Sequence, residues 1–249
     1  MAEFLSREFV MTTQYIISMK KVEHQPSKRY QGAVALIDPK KTYPIAAAVA
    51  LAKQTSTVKF DASLEIHVRL NLNTKKSDQQ VRSSVALPHG TGKTLRVAVI
   101  AIDGDQQKAA KAAGADLVGD QDLIAEIKDG KAKFDILVAT PDSMKLLSPL
   151  AKILGPKGLM PNPKDGTVTQ NAAEAVSQLK KGKVNYKNDD SGNIHGIIGK
   201  VSFADNQLVE NYRAFIDSVN KVKPAGVKGT YIRNISLSTS MGPGIKVSF

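Results

Sequence analysis

The 249-residue sequence contains no cysteine. Disulfides, thiol nucleophiles and thiolate metal sites are therefore excluded together, and the composition suits a reducing compartment. Long apolar runs are also missing. The longest, at 45–52 and 97–102, are far too short to span a bilayer. Residues 1–25 do not read as an address either, since Glu3, Glu8 and Glu23 stand against a single Arg7 and no signal-peptide core is present. They read as an extension, within which Met19 looks like a second start. Catalytic constellations are absent as well. His24, His67, His89 and His195 are scattered without metal-ligand spacing, no G-x-S-x-G elbow occurs, and the pair Asp189-Asp190 sits in a polar, glycine-containing stretch that reads as a hairpin tip. No metal or cofactor is expected.

What is abundant is positive charge, 35 Lys and Arg against 23 Asp and Glu, a net +12 that points first to polyanions. The charge is unevenly spread. Residues 75–165 hold 14 basic and 11 acidic residues, whereas the rest holds 21 and 12, so the excess lies at the two ends of the chain. With 42% hydrophobic residues and this length, two folded domains are the expectation.

Residues 62–70 alternate strictly, with Leu64, Ile66, Val68 and Leu70 on one side, which predicts a half-buried strand preceded by an Ala-rich helix from about Pro44 to Lys53. The middle changes period. A buried strand at 95–102, a helix at 105–113 closed by Gly114, a strand at 116–118, a helix at 120–128 closed by Gly130 and a strand at 134–139 predict a small Rossmann-like unit. A helix over 142–154 and a Gly- and Pro-rich loop at 155–163 follow, the latter suiting a hinge at Gly155, Gly158 and Pro161. Helices at 172–180 and 206–220 and strands at 183–186, 194–203 and 230–239 complete an α+β pattern. The fold class is thus mixed α/β and α+β. A split α+β domain from 27–74 and 167–249 is interrupted by an inserted three-layer α/β domain at 75–166, behind an extension at 1–26.

The run 87–94 ends in Gly92-Lys93-Thr94 and imitates a phosphate-binding loop, but Leu87 occupies the required first glycine and a strand rather than a helix follows. A tight inter-domain turn fits better. The inserted unit likewise lacks G-x-G-x-x-G after its first strand.

Three stretches resemble the ribosomal protein L-one family, and the resemblance extends over 27–249. They are 58–66 running on to 76–82 and 87–93; 153–168, which reads ILGPKGLMPNPKDGTV; and 236–247, which reads SLSTSMGPGIKV. The resemblance implies a non-enzymatic protein of the large ribosomal subunit, cytoplasmic and ribosome-bound, that grips the ribosomal RNA of a mobile stalk beside the transfer RNA exit site. It further implies repression of its own messenger RNA and a monomer off the ribosome. Carried over residue by residue, the implied RNA contacts are Phe60, Ser63, Ser240, Met241 and Gly242. Lys59, Lys246, Lys28 and Arg29 are added as candidate phosphate contacts. Serine stands at 63 and 240 where the family commonly has threonine, which keeps the hydroxyl. Read from residue type alone, Phe60 would be core and Met241 would pack beneath its turn.

Overall fold

A computed structural model describes residues 26–248 apart from Lys75, Lys131, Ala225 and Lys228; the expected extension, save Pro26, lies outside the described residues. The alternating segment forms strand β1, Ser63–Leu70, whose side chains are buried and partly exposed in turn. It is joined antiparallel on one side by β7, Asn193–Lys200, and on the other by β8, Ile232–Thr239, with a short β9, Ile245–Val247, at the far edge. Chain segments from both ends of the sequence thus share one sheet.

One face of this sheet is covered by helices α2, Ile45–Thr55, and α8, Asp205–Lys221. Leu64, Ile66 and Val68 meet Val49, Leu208, Phe215 and Val219 in one buried cluster with Ile235 and Leu237. The other face stays open. A further helix, α1, Lys28–Ala35, precedes α2, its first turn closed by the Ser27 hydroxyl, which accepts from the Tyr30 amide.

The middle forms the predicted parallel sheet, ordered β4, β3, β5, from Leu117–Gly119, Val97–Ile100 and Ile136–Ala139. Alternation along β3 sends Val97 and Val99 to one face and Ala98 and Ile100 to the other, where separate apolar clusters form. Helix α3, Gly104–Ala112, covers the first face, and α4, Gln121–Lys128, the second. The expected single helix at 142–154 is broken into α5, Met144–Leu147, a 3-10 turn, Ser148–Leu150, and α6, Ala151–Leu154. Pro149, which lacks an amide hydrogen, accounts for the break.

Two expectations require correction. The helix α7, Ala172–Lys180, expected in the split domain, places Ala172, Val176 and Leu179 against Val97, Val99 and Val138 of the parallel sheet. Packing therefore ends the inserted unit near 181 rather than at 166. The proposed hinge loop is also misplaced. Gly155, Gly158 and Pro161 lie within the inserted unit, flanked by Leu154, Leu159 and Met160, which pack into its core. The chain crosses between units instead around 92–95 and 180–183, next to the paired strands β2, Arg82–Ala86, and β6, Lys183–Lys187.

The crossings touch. Gly182 has φ +96°, and a Cβ there would lie 2.4 Å from the Gly90 Cα, so only glycine allows this approach. Asn211 of α8 fixes the first crossing from below. Fully buried, it accepts from the His89 amide at 3.1 Å and donates to the carbonyls of Gly90 at 3.0 Å and Ile198 at 2.7 Å. A second tie is Arg82 on β2, which donates through Nε to Asp165 Oδ1 of the inserted unit at 2.8 Å. Asn211→Ala should leave the His89 amide and the Gly90 and Ile198 carbonyls without this partner, the last of them buried, and lower stability by about 1–3 kcal/mol, measured by urea unfolding. A change below about 0.5 kcal/mol would mean the loop is held otherwise.

Candidate nucleic-acid interface

Several of the candidate residues converge at one end of the β1 and β8 pair. Ser63 opens β1 and Ser240 follows β8. The Ser240 amide donates to the Ser63 carbonyl at 3.0 Å, and the Ser63 amide donates to the Ser240 hydroxyl at 3.2 Å. The polypeptide then turns sharply, with the Gly242 amide donating to the Thr239 carbonyl at 2.8 Å. Met241 has φ +65°, the one non-glycine residue in the left-handed region among those described. Such a conformation is costly for a side chain and concentrates at functional positions. A Cβ on residue 242 would fall 2.2 Å from the Thr239 hydroxyl oxygen, so any other residue here forces the Thr239 side chain or the turn to shift.

Phe60 and Met241 are 58% and 67% exposed, which overturns the expectation from residue type that one is core and the other packs under the turn. Both project from the same end of the sheet. The loop carrying Phe60 is tethered at both sides. Ser202 donates from its amide and hydroxyl to the Asp61 carboxylate at 3.2 and 2.9 Å, and Arg29 reaches Thr57 Oγ1 at 3.4 Å. Arg29 also donates to the Met241 carbonyl at 3.1 Å, bringing α1 to the turn. Lys28, its neighbour on α1, and Lys59 beside Phe60 are exposed. Lys246 stands apart. It lies opposite Ser236 on β9, and its amine donates to the Pro39 carbonyl at 3.0 Å.

Lys200 escaped the sequence reading. Its amine donates to the Ser63 hydroxyl at 3.0 Å and to the Asp61 carbonyl at 3.2 Å, linking the start of β1 to the Phe60 loop. Only the register of β7 on β1 reveals it, and no local motif announces that register. The arrangement offers hydroxyls, amide-rich turns, exposed apolar side chains and cations on a sheet edge. Such a mixture contacts ribose, phosphate and base faces.

The carboxyl ends of β3 and β5, where parallel sheets hold nucleotides, form instead a cavity of about 290 Å³ lined in part by Asp103 and Asp142. Two carboxylates there oppose a phosphate. Among the described residues, no group of three or more His, Asp or Glu is placed to hold a metal ion, and no helix is long and apolar enough to cross a membrane.

An open antiparallel sheet with hydroxyls, exposed apolar side chains and cations at one end, combined with an inserted parallel α/β unit, defines a two-unit α/β scaffold. Residues 51–243 match the model of the Ribosomal protein L1p/L10e family. The chain is 52% identical over 221 residues to the large ribosomal subunit protein uL1 of Streptococcus sanguinis, covering 89% of this chain and 96% of that one. It is 53% identical to the protein of that name from Onion yellows phytoplasma, over 88% and 95% of the two chains, and 54% identical to that of Mycoplasma capricolum, over 90% and 98%. The chain belongs to the Ribosomal protein L1p/L10e family, and it is a structural ribosomal protein rather than an enzyme.

Phe60→Ala should change stability by less than about 0.5 kcal/mol, as for other surface truncations, whereas a core phenylalanine would cost about 3–5 kcal/mol. Gly242→Ala should leave global unfolding close to wild type and displace the Ser240 and Met241 amide signals in nuclear magnetic resonance spectra. Unshifted amides would show that the turn tolerates a Cβ.

Proposed function

We propose that the chain binds the ribosomal RNA of the mobile stalk on the large subunit through the Phe60, Ser63, Ser240, Met241 and Gly242 edge. Lys28, Arg29 and Lys59 supply flanking positive charge. In this reading it is ribosome-bound in the cytoplasm, contacts transfer RNA leaving through the exit site, and represses its own messenger by the same RNA-binding edge. It is a monomer off the ribosome and uses no cofactor. The observation that carries the reading is the reciprocal Ser63 and Ser240 hydrogen-bond pair, which holds exposed Phe60 and Met241 at one end of the sheet beside Arg29.

The inserted unit, tied to the RNA-binding unit at two crossings, serves as the arm that reaches transfer RNA. The first crossing is clamped by Asn211, so relative movement is confined to the few residues beyond Gly92 and before Gly182.

Filter binding of a stalk-helix transcript, with bulk transfer RNA as competitor, tests the reading. Phe60→Ala should weaken stalk binding by about 1–3 kcal/mol, roughly five- to 150-fold, while the salt slope hardly moves. Lys59→Ala should reduce that slope by about one unit. Equal affinity for both RNAs, unaffected by Phe60→Ala, would reduce the chain to a general polyanion binder.

A further inference from the structure

The open face of the four-stranded sheet carries a hydrogen-bonded row that plays no part in the interface described above. His67 of β1 and His195 of β7 are register partners whose Nδ1 atoms lie 2.8 Å apart. On one side, His67 Nε2 lies 2.8 Å from the Ser238 hydroxyl; on the other, His195 Nε2 lies 3.4 Å from an Asp189 carboxylate oxygen. Two imidazole nitrogens this close require one to donate and the other to accept. With His195 Nε2 donating to Asp189, His67 Nδ1 donates to His195 Nδ1, and His67 Nε2 accepts from Ser238. An added proton at His67 Nε2 simply reverses the Ser238 contact. A second would set two N–H groups against each other, so the intact row has room for one extra proton.

His195 also lines a recess of about 450 Å³ between this open face and the crossings, bordered by Ser63, Glu65, Thr91, Lys93 and Lys200. Ser63 and Lys200 are the residues that anchor the RNA-facing turn and the Phe60 loop. The recess therefore adjoins the end of the sheet that carries Ser63.

We propose that the recess receives a backbone phosphate of the bound RNA and that the His67 and His195 pair takes up one proton as it does so. The proposal rests on the RNA-binding reading and extends it by a site and a linked proton. Burial first, then His195, pushes the His67 imidazole below its ordinary range, against a smaller pull from Glu65, so free His67 is largely neutral near pH 7. Burial works against ionisation of Asp189, but hydrogen bonds from Asn193, His195 and Ser191 outweigh it and hold that carboxyl below its usual range. Asp189 is therefore already charged where His67 titrates. The remaining charged groups around the row are Arg69 on β1, Lys246 across β8, and, lining the recess itself, Glu65 against the three cations Lys93, Lys183 and Lys200. A phosphate adds negative charge beside the pair and raises its proton affinity. Reciprocally, protonation tightens phosphate binding, so affinity increases as pH falls through the histidine range.

Affinity for the stalk-helix transcript should rise about two- to fourfold between pH 7.5 and 6.0 at fixed salt, the rise expected when one proton is taken up and held about tenfold more tightly in the complex. His195→Gln and His67→Asn should each flatten that rise while keeping most of the binding at pH 7.5. His89→Gln, which removes a histidine 2.5 Å from Glu210 elsewhere on the molecule, should leave it intact. Circular dichroism melts verify that each variant is folded. A wild-type affinity independent of pH, or a rise that survives both substitutions in the pair, overturns the proton-linked site while leaving RNA binding standing. Failure of the wild type to bind the transcript at any pH removes the RNA-binding reading and this site with it.

Discussion

Strand β1 is the contact on which the rest of the molecule depends, because it pairs with β7 on one edge and β8 on the other. The Ser63 and Ser240 hydrogen bonds that close one end of this pairing join residues 177 positions apart. Contacts of such range carry a large loop-closure cost, which the buried cluster of Leu64, Ile66, Val68, Ile198, Phe215, Ile235 and Leu237 offsets. Remove the strand, and α2 and α8 lose the surface they share. The same alternation that buries Leu64 and Ile66 turns Ser63, Glu65, His67 and Arg69 outward. Core and open surface are thus two sides of one strand.

The inserted unit joins this scaffold where the backbone at Gly182 approaches Gly90 too closely for a side chain on residue 182. Strands β2 and β6 run side by side up to that point, and Asn211 holds the first crossing from α8. The Gly- and Pro-rich loop at 155–163, which composition marks as the hinge, is packed into the inserted unit, and the segment after it supplies Asp165 to Arg82. Glycine and proline there shape a turn in a tie between units.

Strong local periodicity was readable from the residues. The strict alternation of 64–70 located β1 and both of its faces, and Gly114 and Gly130 marked the ends of helices in the inserted unit. Elements whose identity depends on distant partners were not. Strand β2 contains Ser83 and Ser84 and becomes a strand only by pairing with β6. Strand β9 is three residues long, and α1 shows a weak apolar pattern with Gly32 in its middle. Helix α7 carries a clear apolar stripe, but nothing in a stripe says which sheet it will cover. At the interface, the motif resemblance named Phe60, Ser63 and the Ser240 turn, whereas Lys200 and the His67 and His195 row arise from register across β1 and β7.

Hydrogen–deuterium exchange on the full chain, with and without a stalk-helix transcript, examines the RNA-binding edge most directly. Slower exchange on RNA binding should centre on peptides covering 57–66 and 236–245, with a smaller effect over α1 and none around 102–106 and 140–142. Protection confined to the carboxyl ends of β3 and β5, with 57–66 and 236–245 unchanged, would move the RNA to the inserted unit and contradict the interface described here.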